Sequence, residues 1–105
     1  MFSIHPYFTI KDGKMDQSMA LLEEIIVMTK SKEPDCLFFN ITIFGSSKAF
    51  VREAYKDGVA AVNHLKNMGH MSPKLFEVAD INVQVQGPAK KIEPLKLLLP
   101  YADFY

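Results

Sequence analysis

Apolar residues recur at every second position in four stretches of the chain, which is the spacing of β-strands with a buried face. These predicted strands are Phe2–Ile10, Asp35–Phe44, Phe50–Tyr55 and Ala79–Gln86. The second stretch is apolar or aromatic on both faces, so both faces need a cover. Because a chain of 105 residues has one layer of helices and little left for the other face, we expect a homodimer.

Spacings of three and four residues between apolar positions predict helices. The first predicted helix runs from Lys14 to about Ser31. Its apolar stripe comprises Met15, Met19, Leu22, Ile26 and Thr29. The second runs from about Gly58 to Asn67, and a short third begins at Ser72. A further helical pattern lies within 89–99, and the aromatic tail 101–105 is predicted to be a strand that docks on a neighbour.

The order of these elements indicates the fold class. Strand, helix, strand, strand, helix and strand follow one another, which is the ferredoxin-like split βαβ order. The sequence therefore predicts an α+β fold, in which an antiparallel sheet carries helices on one face. Residues 1–105 are expected to form a single domain, because that length supports one core and not two.

Charge and composition exclude several classes of partner. The chain carries 12 basic and 12 acidic side chains, so its formal net charge is zero and attracts neither nucleic acid nor an anionic membrane. No apolar run approaches the ~18 residues that span a bilayer, and the N-terminus lacks the features of a signal peptide. We expect a cytoplasmic protein. Cys36 is the only cysteine, and its strand-like setting indicates a small buried residue rather than a nucleophile.

The stretch from Arg52 to His70 carries the candidate chemistry. Glu53 and Tyr55 share one face of the third strand, and Asp57 is placed to cap the following helix. His64 follows about two helical turns after that cap. A carboxylate, a phenol and an imidazole are thus predicted to converge, with His64 as the general base because an unperturbed histidine titrates near pH ~6.5.

Other polar and aromatic side chains are candidates for contact with a ligand. We predict that Phe38, Asn40, Arg52 and His70 bind the substrate, and that Asn40 or Tyr55 donates to a substrate oxygen. Three of these four residues have an alternative interpretation. Asn40 is also suited to a dimer contact, Arg52 to an ion pair on the strand surface, and His70 to a mobile loop.

Metal binding has little support in the sequence. A site made of Glu53, His64 and His70 is conceivable, but no pair of ligands lies close together in the sequence, and no metal is predicted. His5 reaches the pocket only if its face of the first strand is the covered one, and the pattern does not fix that face.

The chain resembles the antibiotic biosynthesis monooxygenase domain family, and the resemblance covers most of its length. It is carried by Glu33-Pro34-Asp35-Cys36-Leu37, by Glu53-Ala54-Tyr55-Lys56-Asp57, and by Ala60 and His64. His70 lies near the position of the family's second histidine, at a spacing that is one residue longer. Haem-degrading relatives depend on a tryptophan in the pocket, and this chain has none.

The resemblance implies a dimeric α+β barrel and a monooxygenase that needs no cofactor. The expected substrate is a small quinol or polyphenol-type aromatic molecule held in an apolar pocket. Isomerisation of a small signal molecule ranks below this activity. The alternative from another class is a non-catalytic module for small-molecule binding or assembly. The sequence leaves open the substrate, the pathway, the part played by oxygen, the histidine that matters and the sheet face that lines the pocket.

Overall fold

Strands and helices follow one another in the order that the hydrophobic pattern predicts. The computed structural model describes residues 1–88, 96 and 102–105. Its elements are β1 (Phe2–Ile10), α1 (Met15–Lys32), β2 (Cys36–Phe44), β3 (Lys48–Tyr55), α2 (Gly58–Asn67), α3 (Ser72–Val78), β4 (Ala79–Gln86) and β5 (Asp103–Phe104). Apart from Lys96, the residues of the helix predicted within 89–99 lie outside the described ones.

The described strands form one sheet in the order β2-β3-β1-β4-β5. Strand β1 lies in the middle and pairs antiparallel with both β3 and β4. This arrangement confirms the ferredoxin-like α+β prediction. Strand β5 departs from the predicted antiparallel sheet, because this strand pairs in parallel with β4. The sheet is therefore mixed, and the tail strand docks on the sheet of its own chain rather than on a neighbour.

One face of the sheet is covered by the helices. The alternate β1 residues Phe2, Ile4 and Phe8 are buried, and their clusters include Leu22 of α1 and Leu75 of α3. Burying a side chain of this size stabilises the fold by about 1.5–3 kcal/mol. We call this side of the sheet the covered face and the opposite side the open face.

The buried side of α1 is centred slightly to one side of the predicted apolar stripe of this helix. Its buried residues are Ser18, Leu22, Ile25 and Thr29. Apolar side chains occupy a wide arc of this helix, so their spacing alone does not fix the centre of the arc. Of the helices that the structure describes, none combines the length and the apolar character needed to cross a membrane.

Strand β2 forms one edge of the sheet and keeps much of its apolar surface in contact with solvent. Leu37 is 55% exposed, Ile43 51% and Phe44 50%. On the open face, Phe50 of β3 stacks on Tyr7 with ring centroids 4.6 Å apart. These exposed side chains motivate the expectation of a homodimer, which stays a prediction.

Candidate functional site

The candidate site lies between the end of β3 and α2, the helix that follows it. Glu53 and Tyr55 lie two residues apart on β3, so both side chains point to the covered face. The side chain of Asp57 then accepts a hydrogen bond from the backbone N–H of Ala60 at 2.9 Å and starts α2. Two turns later, α2 places His64 above the strand, with its ring centroid 5.0 Å from that of Tyr55. The predicted convergence of these three side chains is confirmed.

The imidazole of His64 lies between two carboxylates. Its Nδ1 is 2.9 Å from Glu33 Oε1, and its Nε2 is 3.1 Å from Glu53 Oε1. The hydroxyl of Tyr55 donates to the same Glu53 oxygen at 2.7 Å, and Asn67 Nδ2 donates to Glu33 Oε2 at 3.3 Å. We call these five residues the acid–histidine network. Four of them are buried and Asn67 is half-buried, so the charges of the network are screened little by water.

The electrostatics of the network favour a charged imidazole. Burial lowers the pKa of His64, but the hydrogen bonds and charges of Glu33 and Glu53 outweigh it and raise that pKa to about 9. At neutral pH both ring nitrogens therefore carry a proton and donate to the two carboxylates. An imidazolium has no free lone pair with which to act as a base, so this charge state does not favour the predicted role of His64 as the base, which stays a prediction.

Tyr55 is held in its neutral form. Burial, the charge of Glu53 and the hydrogen bond to that carboxylate all raise the pKa of the Tyr55 phenol. The phenol therefore remains a donor to Glu53 throughout the neutral range. Since Tyr55 lies behind Glu53 and outside the lining of the cavity, it supports the carboxylate rather than meeting a ligand directly.

The network forms part of the wall of an apolar cavity of about 70 Å³ that is partly open to solvent. The apolar part of the lining comprises Ile4, Pro6, Phe8, Leu22, Ile25, Phe39, Val51, Leu65, Met68, Leu75, Phe76, Ile81 and Val83. Glu53, His64 and Ser72 supply its polar groups. An apolar cleft with a few convergent polar groups is the usual form of a small-molecule site.

Three predicted ligand-binding residues lie on the open face instead. Asn40 of β2 pairs across the ladder with Arg52 of β3, and the Arg52 guanidinium lies 5.9 Å from the centre of the Phe38 ring. Arg52 is adjacent to Glu53 in sequence, so the strand directs the two side chains to opposite faces. The sheet separates Phe38, Asn40 and Arg52 from the cavity, and Phe39 takes the place expected for Phe38 in its lining.

The other two histidines also lie away from the cavity lining. His70 is exposed in the turn between α2 and α3. His5 lies on the open face, where its Nε2 is 2.9 Å from Ser3 Oγ. Burial and the nearby charge of Arg52 lower the pKa of His5, while Glu53 opposes them. Within the described residues, no group of three or more His, Cys, Asp or Glu side chains is arranged to hold a metal ion.

Cys36 is less buried than the sequence predicts. Its thiol is half-buried and donates to the carbonyl of Phe38 at 3.4 Å. Burial, followed by the charges of Glu53 and Glu33, raises the pKa of this thiol to about 11. The thiol therefore stays protonated at neutral pH, which is unfavourable for a nucleophile.

Two members of the network, Glu33 and Asn67, were not among the predicted site residues. Glu33 is the C-terminal cap of α1, and its side chain is buried. A carboxylate at a helix C-terminus interacts unfavourably with the helix dipole. The position of Glu33 therefore indicated that its side chain has a cationic partner. Asn67 lies three residues after His64 and therefore on the same side of α2, which was a second signal.

The fold and the cavity together define a ferredoxin-like α+β domain with a polar network at the wall of an apolar cleft. No family model matches the chain, and no curated protein matches its sequence. Among solved structures, MupZ from Pseudomonas fluorescens has a TM-score of 0.85 and 29% sequence identity, with 99% of this chain and 87% of MupZ covered.

Further solved structures have the same fold at lower identity. A structure described as an antibiotic biosynthesis monooxygenase has a TM-score of 0.72 and 19% identity, over 85% of this chain and 99% of the other. SnoaB, a cofactor-independent oxygenase from Streptomyces nogalater, has a TM-score of 0.71 and 8% identity, over 88% and 96%. These neighbours confirm that the chain has the fold of antibiotic biosynthesis monooxygenase-type proteins.

Proposed function

We propose that this chain is a cofactor-independent monooxygenase that acts on a small hydroquinone or polyphenol in the cavity of the covered face. The observation that carries the proposal is the placement of Glu53 and His64 in the wall of an otherwise apolar cleft. The oxygenase name of SnoaB supports the reaction class, although SnoaB shares only the fold with this chain.

The size of the cavity favours a substrate with one aromatic ring. Its volume is about 70 Å³. A cavity of about 150 Å³ in another protein admits benzene, so a ring requires some widening here. Met68 and Phe76 can provide it, because methionine is flexible and Phe76 is 40% exposed at the cavity wall. Two fused rings require a larger displacement and are expected to bind less tightly.

Glu53 is the group best placed to accept the proton of a substrate hydroxyl. Its Oε1 already accepts from His64 and Tyr55, while among the described residues nothing donates to its Oε2. Transfer of the hydroxyl proton to Oε2 leaves a phenolate in the apolar cleft. The adjacent His64 imidazolium then stabilises that negative charge, an effect that is strong where water is excluded.

The electron-rich phenolate is the species that reacts with O₂. In the overall reaction a hydroquinone and O₂ give a hydroxyquinone and water. One oxygen atom enters the ring, the other leaves as water with two hydrogens of the substrate, and the substrate supplies all four electrons. The protein contributes the proton acceptor, the compensating charge and an apolar site that orients the ring.

A non-catalytic binding module is the second candidate. The observation in its favour is that both ring nitrogens of His64 are occupied by carboxylates of the same chain, as in a purely structural network. On this interpretation the cavity binds an aromatic molecule without converting it.

Oxygen uptake with a panel of one-ring and two-ring hydroquinones tests the proposal. The wild-type protein should consume O₂ and place one atom from ¹⁸O₂ in the product. Glu53→Gln should lower kcat/KM by about 100-fold or more, because a positioned base contributes at least that much. Glu77→Gln, which removes an exposed carboxylate of α3, is the matched control and should leave the rate unchanged. Binding of the same quinols without any oxygen uptake would favour the binding module.

A further inference from the structure

Glu33 occupies a position that local helix energetics disfavour. It is the C-terminal cap of α1, and its backbone N–H bonds to the carbonyl of Thr29. The last turn of α1 carries Lys30 and Lys32, the charge sign that suits a helix C-terminus. Glu33 has the opposite sign, and only 5% of it is exposed. Such a carboxylate requires partners of its own.

Helix α2 supplies those partners from two positions one turn apart. His64 Nδ1 donates to Glu33 Oε1 at 2.9 Å, and Asn67 Nδ2 donates to Oε2 at 3.3 Å. Both oxygens of the carboxylate are thus satisfied, and the carboxylate is fixed in orientation. The bond at Nδ1 in turn fixes the plane of the imidazole and directs Nε2 towards Glu53.

Glu33 does not line the cavity, whereas His64 and Glu53 do. Glu33 therefore makes no contact with a molecule bound in this cavity, and its direct connection to the cavity wall is the hydrogen bond to the imidazole. The groups that face His64 are Glu33 at the end of α1, Glu53 and Tyr55 on β3, and Asn67 on its own helix, with Cys36 of β2 nearby. Of these only the two carboxylates carry charge at neutral pH, because the phenol and the thiol stay protonated.

We propose that Glu33, together with Asn67, is a positioning residue that holds the His64 ring as an imidazolium facing Glu53. The role deepens the proposed function, since the charge that Glu33 maintains is the one that stabilises a substrate phenolate. The positioning role can be correct even if no oxygen chemistry occurs, because the protonation state of the His64 ring is measurable without any substrate.

Nuclear magnetic resonance of the histidine ring nitrogens provides the test. In the wild-type protein, both His64 nitrogens should be protonated at pH 7 and should titrate with a midpoint near 9. Glu33→Gln should lower this midpoint by about 1–3 pH units, the usual effect of losing a contacting opposite charge. Asp35→Asn removes an exposed carboxylate two residues away, and it should leave the midpoint in place.

A second variant keeps the test decisive if Glu33→Gln does not fold. Asn67→Ala removes the donor to Glu33 Oε2 and leaves both carboxylates, so it should lower the His64 midpoint by less than Glu33→Gln is expected to. A His64 midpoint that stays near 9 in both variants, or a wild-type midpoint at or below the ordinary 6.5, overturns the role of Glu33.

Oxygen uptake separates this inference from the proposed function. If the wild-type protein turns over a hydroquinone, the fall in rate at high pH should move down in Glu33→Gln together with the midpoint measured by resonance. If the midpoint moves but no hydroquinone is consumed, Glu33 keeps its positioning role and the proposed oxygenase function fails. If the rate profile stays in place while the midpoint moves, the link from Glu33 to the chemistry is wrong.

Discussion

The two faces of the sheet use similar residues for different purposes. On the covered face, Glu53 and His64 are buried, paired and adjacent to a cavity. On the open face, Arg52 lies over Phe38, and His5 bonds with the neighbouring Ser3. Arg52 and Glu53 are consecutive residues of β3, so a single step along the strand separates the two environments. The comparison teaches that burial and pairing, rather than residue type, distinguish the candidate site from the open face.

Removal of the imidazole is expected to have the largest effect. His64→Ala leaves the Glu33 and Glu53 carboxylates buried without their cation, and loss of one member of a buried charged pair costs about 3–5 kcal/mol. Asn40→Ala on the open face should change the free energy of unfolding by no more than about 0.5 kcal/mol. Urea denaturation at pH 7 measures both. An equal loss of unfolding free energy in His64→Ala and Asn40→Ala would contradict the distinction between the two faces.

The open face is predicted to act through assembly. Phe50→Asp places a charge among Tyr7 and Phe44 in the stacked aromatic cluster, which we expect to be covered by a second copy. Light scattering at micromolar concentration should show a wild-type mass of twice 11.9 kDa and a folded monomer for the variant. A wild-type protein that scatters as a monomer contradicts the expected homodimer.

Stability is predicted to depend on pH in opposite senses at the two faces. The pKa of His64 is raised to about 9, so its stabilising contribution is complete below the ordinary 6.5 and is lost as the pH rises through 9. The pKa of His5 is lowered, so the unfolded chain binds that proton more tightly, and acidification below about 6.5 destabilises the fold slightly.

Thermal unfolding between pH 5 and pH 10 checks the larger of these two effects. The Tm should fall between pH 8 and pH 10 in the wild-type protein. His64→Gln, which removes the titrating ring, should flatten that fall. A Tm that declines equally in both proteins would assign the alkaline loss to other groups, such as lysines.

The variant with the smallest expected effect tests whether a charge on one face of the sheet changes a pKa on the other face. Burial and the positive charge of Arg52 lower the pKa of His5, so Arg52→Gln, which removes that charge, should raise the His5 midpoint. Because the pKa shift of His64 arises from burial and from Glu33 and Glu53, the His64 midpoint should stay in place. Histidine resonances followed in one titration report both values, and a matching shift at His64 would show that the faces are coupled.

The sequence predicted the fold well because each element has a strong local pattern. Alternation placed β1 and β4, and Asp57 marked the start of α2. The same periodicity brought Glu53 and Tyr55 to one face. It did not reveal which face is covered, because β2 is apolar on both sides, and this is why Asn40 and Phe38 were assigned to the pocket.

Long-range pairing was the part that local patterns could not supply. Glu33 and His64 are 31 residues apart, and their contact depends on how α1 and α2 pack on the sheet. The protonation state of His64 depends in turn on that contact, so the unperturbed value of about 6.5 gave it the role of a base. With the imidazole charged, Glu53 is the proposed proton acceptor.

A crystal structure with an unreactive one-ring hydroquinone analogue tests most directly whether the chemistry lies on the covered face. We expect the ring to lie in the cavity beside Phe39 and Met68, with one hydroxyl within hydrogen-bond distance of Glu53 and the His64 ring still between its two carboxylates. An analogue bound on the open face against Asn40 and Arg52, with the cavity left empty, would contradict it.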